Sequence, residues 1–258
     1  MAGKKKKNII WKLLIGAMLL TLVILLGLQI SEWWIERKAH FARYEAFGIE
    51  LPTQYEIHGI DVSKYQQAID WESVKAMKVE DIRIGFAFIK ATEGNGNRDA
   101  QFARNWRRIK EAGVTRGAYH FFLATKSGKT QAENFIENVT LEPGDLPPVI
   151  DVEQAYGVPA TRLVERVKEF LNTVEGHYGV KPIIYTNVDF YNQYLKEECE
   201  DYPLWVAHYL QKERPRIARP WHFWQHSETG RVNGILSKVD FNVFSGDSLA
   251  FKELLIKK

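Results

Sequence analysis

Seven short apolar or aromatic runs recur along the chain, at residues 57–62, 84–91, 117–122, 148–152, 182–185, 204–207 and 221–225. Amphipathic helical patterns fall between many of them. Residues 66–77 carry Ile69, Trp71 and Val74; residues 99–112 carry Phe102, Trp106 and Ile109; residues 161–178 carry Leu163, Val167, Phe170, Leu171 and Val174. Strands that alternate with such helices pair in parallel, with the helices covering the sheet. About 200 residues patterned this way are more economically closed into a barrel than left as an open sheet. The expected fold class is therefore α/β, an irregular (β/α) barrel of TIM type. The later strands lack long intervening helices, so the last third is expected to depart from regular repetition.

Ahead of this body, residues 13–30 form an 18-residue stretch without an ionisable side chain. As a helix it would extend about 27 Å, close to the ~30 Å hydrocarbon core of a bilayer. Trp11 on one side and Trp33 and Trp34 on the other stand where interfacial aromatics belong. The run is apolar all round, unlike the stripe of a core helix. Its exit, Leu26-Gly-Leu-Gln-Ile-Ser-Glu-Trp-Trp, offers a poor signal-peptidase site. The expectation is one uncleaved transmembrane helix preceding the barrel. Residues 1–8 then form a cytoplasmic basic leader, 9–30 the anchor in the lipid bilayer, 31–54 a juxtamembrane stalk, and 55–258 the barrel domain.

Charge supports that division. Residues 1–50 hold eight Lys/Arg, four of them at Lys4–Lys7, against four acids, a net of +4. The remaining 27 basic and 28 acidic residues leave the body at −1. By the positive-inside rule the N-terminus stays cytoplasmic and the body lies outside the membrane. A near-neutral body gives no case for nucleic acid. The single cysteine, Cys199, excludes an intramolecular disulfide framework and any Cys-based zinc site. It stands among acids that would raise its pKa, which argues against a nucleophile.

The sharpest local feature is Pro147-Pro148-Val149-Ile150-Asp151-Val152-Glu153. Acids at i and i+2 of a strand share a face, and the C-terminal end of a strand in an α/β protein opens onto the ligand crevice. Two carboxylates so close repel, which raises one pKa and keeps one group protonated near neutrality. Glycoside hydrolysis requires that state of its general acid, although a lone pair of this kind is more often two solvated acids. Asp61, Glu93 and Tyr119 end other apolar runs, and Asp240 follows Lys238-Val239. If the strands are parallel, one rim collects Asp61, Glu93, Tyr119, Asp151, Glu153 and Asp240. Carboxylates that bond hydroxyls and flat rings that stack on pyranose faces compose a sugar site. Competing chemistries lack support. Gly94-Asn-Gly-Asn has no phosphate-loop spacing, no Gly-x-Ser-x-Gly elbow occurs, and His222 and His226 sit in an extended segment without helical zinc geometry.

The motifs His58-Gly-Ile-Asp-Val-Ser-Lys-Tyr-Gln66, Phe88-Ile-Lys-Ala-Thr-Glu-Gly94, Gly117-Ala-Tyr-His-Phe-Phe122, Pro148-Val-Ile-Asp-Val-Glu153, Ile184-Tyr-Thr-Asn187, Leu204-Trp-Val-Ala207, Trp224-Gln-His-Ser227 and Val239-Asp-Phe-Asn-Val-Phe244 occur in that order. Together they resemble glycoside hydrolase family 25, the Chalaropsis-type lysozymes, over nearly the whole extramembrane part. The resemblance implies a modified barrel and cleavage of the β-1,4 bond between N-acetylmuramic acid and N-acetylglucosamine in peptidoglycan glycan strands. It implies Glu153 as general acid and Asp151 as its stabilising or orienting partner. It further implies Asp61, Asp240 and Tyr119 as rim residues; Glu93 joins them as a substrate-binding candidate from its strand-end position. No metal or organic cofactor is called for. Phe241 departs from the leucine common after the aspartate. Close carboxylates suggest a retaining outcome, but i and i+2 neighbours are not an opposed pair, and assistance by the N-acetyl group is a further route. Two other classes stay open: a non-catalytic peptidoglycan-binding scaffold, and a glycosidase on another N-acetylhexosamine polymer.

Overall fold

A computed structural model describes residues 2–36, 41–211 and 213–257, with side chains outside the description for residues 2–13 and 32–36. The chain divides into two units, and each is described by itself. The first holds helix α1, Ala2–Glu36. Its span Leu14–Ser31 is long and apolar enough, by length and composition, to cross a membrane, and none of it is buried.

The second unit is a closed barrel of eight strands: β1 (His58–Val62), β2 (Ile82–Glu93), β3 (Thr115–Phe121), β4 (Val149–Asp151), β5 (Ile183–Asn187), β6 (Leu204–Ala207), β7 (Phe223–Gly230) and β8 (Val239–Phe244). Each strand from β1 to β6 pairs in parallel with the next. Strand β8 then lies antiparallel between β7 and β1 and closes the ring. The expected irregularity of the last third is this reversed strand. Helices α2 (Trp71–Ala76), α3 (Phe102–Glu111), α4 (Gly128–Asn138), α5 (Ala160–Tyr178) and α6 (Val188–Phe190) connect the earlier strands. Side chains place their boundaries. Asp70 and Ser127 cap α2 and α4 by accepting from Ser73 and Thr130 backbone N–H groups, and Gly179, at φ 70°, ends α5 in the left-handed region.

Helix α4 escapes the apolar-period reading because two of its buried positions are polar. Gln131 bonds the Leu123 backbone in both directions, at 2.8 and 3.1 Å. Asn134 Nδ2 donates to the Gly94 carbonyl at 2.8 Å.

Residues 41–52, read from the sequence as stalk, are part of this body. Phe41–Tyr44 pairs antiparallel with Ile49–Pro52 across a turn closed by Gly48, at φ 71°. Phe47 and Leu51 are fully buried. Phe47 lies edge-on to Phe241 at 5.4 Å, Phe41 meets Trp224 at 5.9 Å, and Arg231 N–H donates to the Phe47 carbonyl at 2.9 Å. The reason is topological. An antiparallel β7–β8 pair needs no crossover helix, so its outer face lacks the usual cover, and the hairpin supplies it.

Period-2 alternation sorts the rest. Ile60, Ala87, Ile89, Ala118, Ile150, Ile184, Val206 and Phe241 face outward into one core, whereas Phe86, Phe88, Val149, Tyr185, Trp205, Phe223 and Phe244 fill the interior as a second. Phe88 stacks on Trp205 at 4.4 Å and lies across Phe223 at 5.2 Å. The last helix, α7 (Ser248–Leu254), places Phe251 against Phe86 and Phe244 and plugs the lower end. Gly59 and Gly117 make the room: a Cβ at either would stand 2.5 Å from a ring atom of Phe86 or Phe88. Gly117→Ala is expected to cost about 1–3 kcal/mol through overpacking, read by urea denaturation, and Phe88→Leu in the same chain to recover part of it. Unchanged stability would show that the rings have slack.

Candidate active site

The parity that lines the interior with aromatics brings inward polar residues to the upper rim from most strands, β6 ending instead on the inward Ala207. Asp61 is the fourth residue of β1, and Asp151 is the last of β4, with Glu153 two residues on. Because β8 runs antiparallel, its start reaches the same rim, and Asp240 pairs in register with Asp61. Tyr119 on β3 stands in register with Lys90 of β2. Asp61, Asp151, Asp240 and Glu153 thus form one cluster, with the Tyr119 hydroxyl in the field of three of them. Glu93 sits on this rim in a different arrangement, ion-paired to Lys90 Nζ at 2.5 Å.

Burial is the leading cause of every shift in the cluster. Asp151 is lifted well above the carboxylate range by burial, then by the charge of Glu153 and its hydrogen bond to it; the Lys90 ammonium opposes this. Glu153, half-buried, is raised by burial, against the hydrogen bond from Asp151 and the charge of Lys90. The pair therefore shares a proton that rests on the more buried Asp151. Asp151 Oδ1 is buried without a hydrogen-bond partner. Asp61 is pushed up to about 6 by burial, although Asn242 and Gln225 each donate to its Oδ2 at 2.8 Å. Asp240 is pushed up to about 9 by burial and then by the charge of Asp61, to which it is hydrogen-bonded. Within this cluster Asp151 and Asp240 hold protons at neutral pH that exposed acids would have lost.

Several site residues lie outside the sequence reading. Lys90 shares the inward parity of Phe86 and Phe88, and it touches the Phe121 ring face at 4.5 Å. Gln225 and Asn242 are inward polar residues of β7 and β8. Tyr156 stands beyond Glu153 with a φ of 49° and a half-exposed ring in the field of Glu93, Asp151 and Glu153. Tyr209 stands in the field of Asp61 and Asp240. The signal that finds the strand members is parity applied to polar residues as well as to acids. Among the described residues, Cys199 and the histidines lie elsewhere. The Cys199 thiol is pushed up to about 11, chiefly by burial. His226 is buried against Phe41 and Trp224 and lowered to about 3 by burial and the neighbouring His58.

The Asp240 proton has a consequence for stability. Below the ordinary value of 3.8 both folded and unfolded chains hold it; from there to about 9 only the folded chain does. Rising pH through that window therefore costs stability, at up to about 1.4 kcal/mol per pH unit for one proton. Asp240→Asn, whose amide still donates to Asp61, is expected to flatten the fall of the melting temperature between about pH 5 and pH 8. An unchanged slope would contradict a proton held there.

Comparison with known proteins bears on the site. The sequence profile of the glycosyl hydrolases family 25 matches residues 60–235. The uncharacterized protein YegX of Escherichia coli K12 is 46% identical over 210 residues, covering 80% of this chain and 77% of its own. Lysozyme M1 of Streptomyces globisporus is 34% identical over 207 residues, covering 74% and 69%. Among solved structures, a family 25 glycosyl hydrolase from Bacillus anthracis is 33% identical and superposes with a TM-score of 0.73, covering 83% of this chain and all of its own.

Proposed function

This chain belongs to glycosyl hydrolase family 25 and is a glycoside hydrolase of the lysozyme type; from that premise we propose that it cleaves the β-1,4 bond between N-acetylmuramic acid and N-acetylglucosamine in peptidoglycan. The observation that carries the reading is the buried, hydrogen-bonded Asp151–Glu153 pair at the end of β4. Its free acceptor, Asp151 Oδ1, suits the N–H of a sugar N-acetyl group. That hydrogen bond favours the Asp151 anion, so the shared proton passes to Glu153 when substrate docks.

Glu153 then gives its proton to the glycosidic oxygen as the C1–O bond breaks. The N-acetyl carbonyl oxygen closes on C1, and the Asp151 carboxylate balances the positive charge of the resulting ring. Water next adds to C1, the carbonyl oxygen leaves, and the water's proton returns to Glu153. Configuration at C1 is retained. Asp61, Asp240, Tyr119 and Glu93 bond sugar hydroxyls along the rim, and the half-exposed Tyr156 ring supports a sugar face.

Glu153→Gln is expected to fold and to lose roughly 10²–10⁴-fold in clearing a peptidoglycan suspension, the scale of a general acid. On the parent enzyme, de-N-acetylated wall should be cleaved far more slowly than native wall. Mass analysis of the products should find new reducing muramic-acid ends. Binding without release would favour the scaffold reading, release only from chitin would favour another N-acetylhexosamine polymer, and equal rates on the two walls would remove the N-acetyl route.

The Leu14–Ser31 span supports anchoring of the enzyme in the membrane through residues 9–30, with the Lys4–Lys7 cluster on the cytoplasmic side and the barrel facing the wall. The full-length chain is expected to stay with the membrane pellet through alkaline carbonate extraction, and added protease should digest the barrel in intact spheroplasts. A soluble barrel lacking residues 1–30 would instead identify a cleaved leader.

A further inference from the structure

Two buried amides face Asp61 from neighbouring strands. Asn242, on β8, is fully buried, and Gln225, on β7, is 2% exposed. An amide offers a donor and an acceptor side, and either can turn toward a carboxylate unless something fixes it. For Asn242 the fixing group is Trp205, whose indole Nε1–H donates to Asn242 Oδ1 at 2.7 Å. An indole nitrogen only donates, so the NH2 of Asn242 must face Asp61 Oδ2. Trp205 itself is clamped, stacked on Phe88 at 4.4 Å and against Tyr185 at 4.4 Å. For Gln225, the Tyr185 hydroxyl donates to Oε1 at 2.8 Å and the Tyr209 hydroxyl donates to the same atom. Its NH2 is therefore turned to Asp61 as well. One carboxylate oxygen receives two N–H donors, which leaves that oxygen no use for a proton of its own.

We propose that Trp205 is a positioning residue: through Asn242 it fixes Asp61 as the anion of the Asp61–Asp240 pair, so that Asp240 is the neutral, proton-bearing member presented to substrate. The inference deepens the muramidase reading and rests on it for its catalytic consequence. The groups that feel or impose the Asp61 charge are Asp240 from β8, Asp151 and Glu153 from the end of β4, Tyr119 from β3, Tyr185 from β5 and Tyr209 beyond β6. A fixed Asp61 anion also helps Asp151 keep its proton until substrate arrives. Without the indole N–H, Asn242 is free to turn its carbonyl toward Asp61, and the anion is disfavoured.

The test is Trp205→Phe in the full chain, which keeps a stacked ring and removes only the donor and some area. The carbon-13 carboxyl titration of Asp61 in the substrate-free protein should move upward by about one pH unit. On peptidoglycan, kcat should fall about tenfold with KM within twofold, and the acid limb of kcat/KM should move in the same direction as the carboxyl midpoint. Tyr185→Phe should shift Asp61 less, because Tyr209 still holds Gln225. Should Trp205→Phe fail to fold, Asn242→Leu, close in shape, removes the amide that Trp205 aims at Asp61 without adding a charge, and the same upward move of the Asp61 midpoint is expected. An Asp61 midpoint that stays in place, or a loss uniform across pH, overturns the proposal and leaves Trp205 as core. The titration needs no turnover, so a wild-type chain inert on peptidoglycan would sink the activity reading while the carboxyl midpoint still decided the lock.

Discussion

Closing a sheet into a ring forces every strand to send alternate residues inward, with only side chains available to fill the space. In this chain large aromatics dominate the inward positions low in the barrel, and the inward positions at the upper rim carry the acids. The two are energetically linked. The rings of Phe86, Phe88, Trp205 and Phe223 exclude water from beneath the acids, and this desolvation is the largest influence on Asp61, Asp151, Glu153 and Asp240. A chemically useful proton at neutral pH is a by-product of how the interior is filled.

The reversed last strand makes a second contribution. A parallel eighth strand would begin at the lower end and deliver its first residues there. Running the other way, β8 places Asp240 beside Asp61 at the rim and Phe244 at the floor beside Phe251. The cost is an outer face with no crossover helix, and the Phe41–Pro52 hairpin covers it. The irregularity, the extra hairpin and the fourth acid of the cluster are thus one structural decision.

Much of this was legible beforehand. The runs at residues 84–91 and 204–207 lie in β2 and β6, and asking which acids end apolar strands picks out Asp61, Asp151 and Glu153, which the fold brings to one rim. Asp240, which follows Lys238-Val239 rather than ending an apolar run, is read onto the rim on the assumption of parallel strands; it reaches that rim because β8 runs antiparallel. Helix α4 was hidden because Gln131 and Asn134 occupy buried positions where the periodic signal expects apolar residues. The hairpin was hidden because four-residue strands flanked by charges carry too little alternation to stand out. Lys90, Gln225 and Asn242 carry no such signal, because the acids that end strands do not mark the donors that aim them. The placement of Gln225 and Asn242 depends on a neighbour more than 100 residues away, Asp61 in both cases, and no local pattern encodes that.

The plugged lower end has an implication for how the enzyme meets water. With Phe251 closing the floor, solvent reaches the acid cluster only through the mouth. A polymer lying across that mouth acts as a stopper, stripping the last water from carboxyls already short of it. Occupied and empty enzyme are then two different electrostatic media, and the acidity governing capture of a glycan strand is distinct from the acidity governing its cleavage.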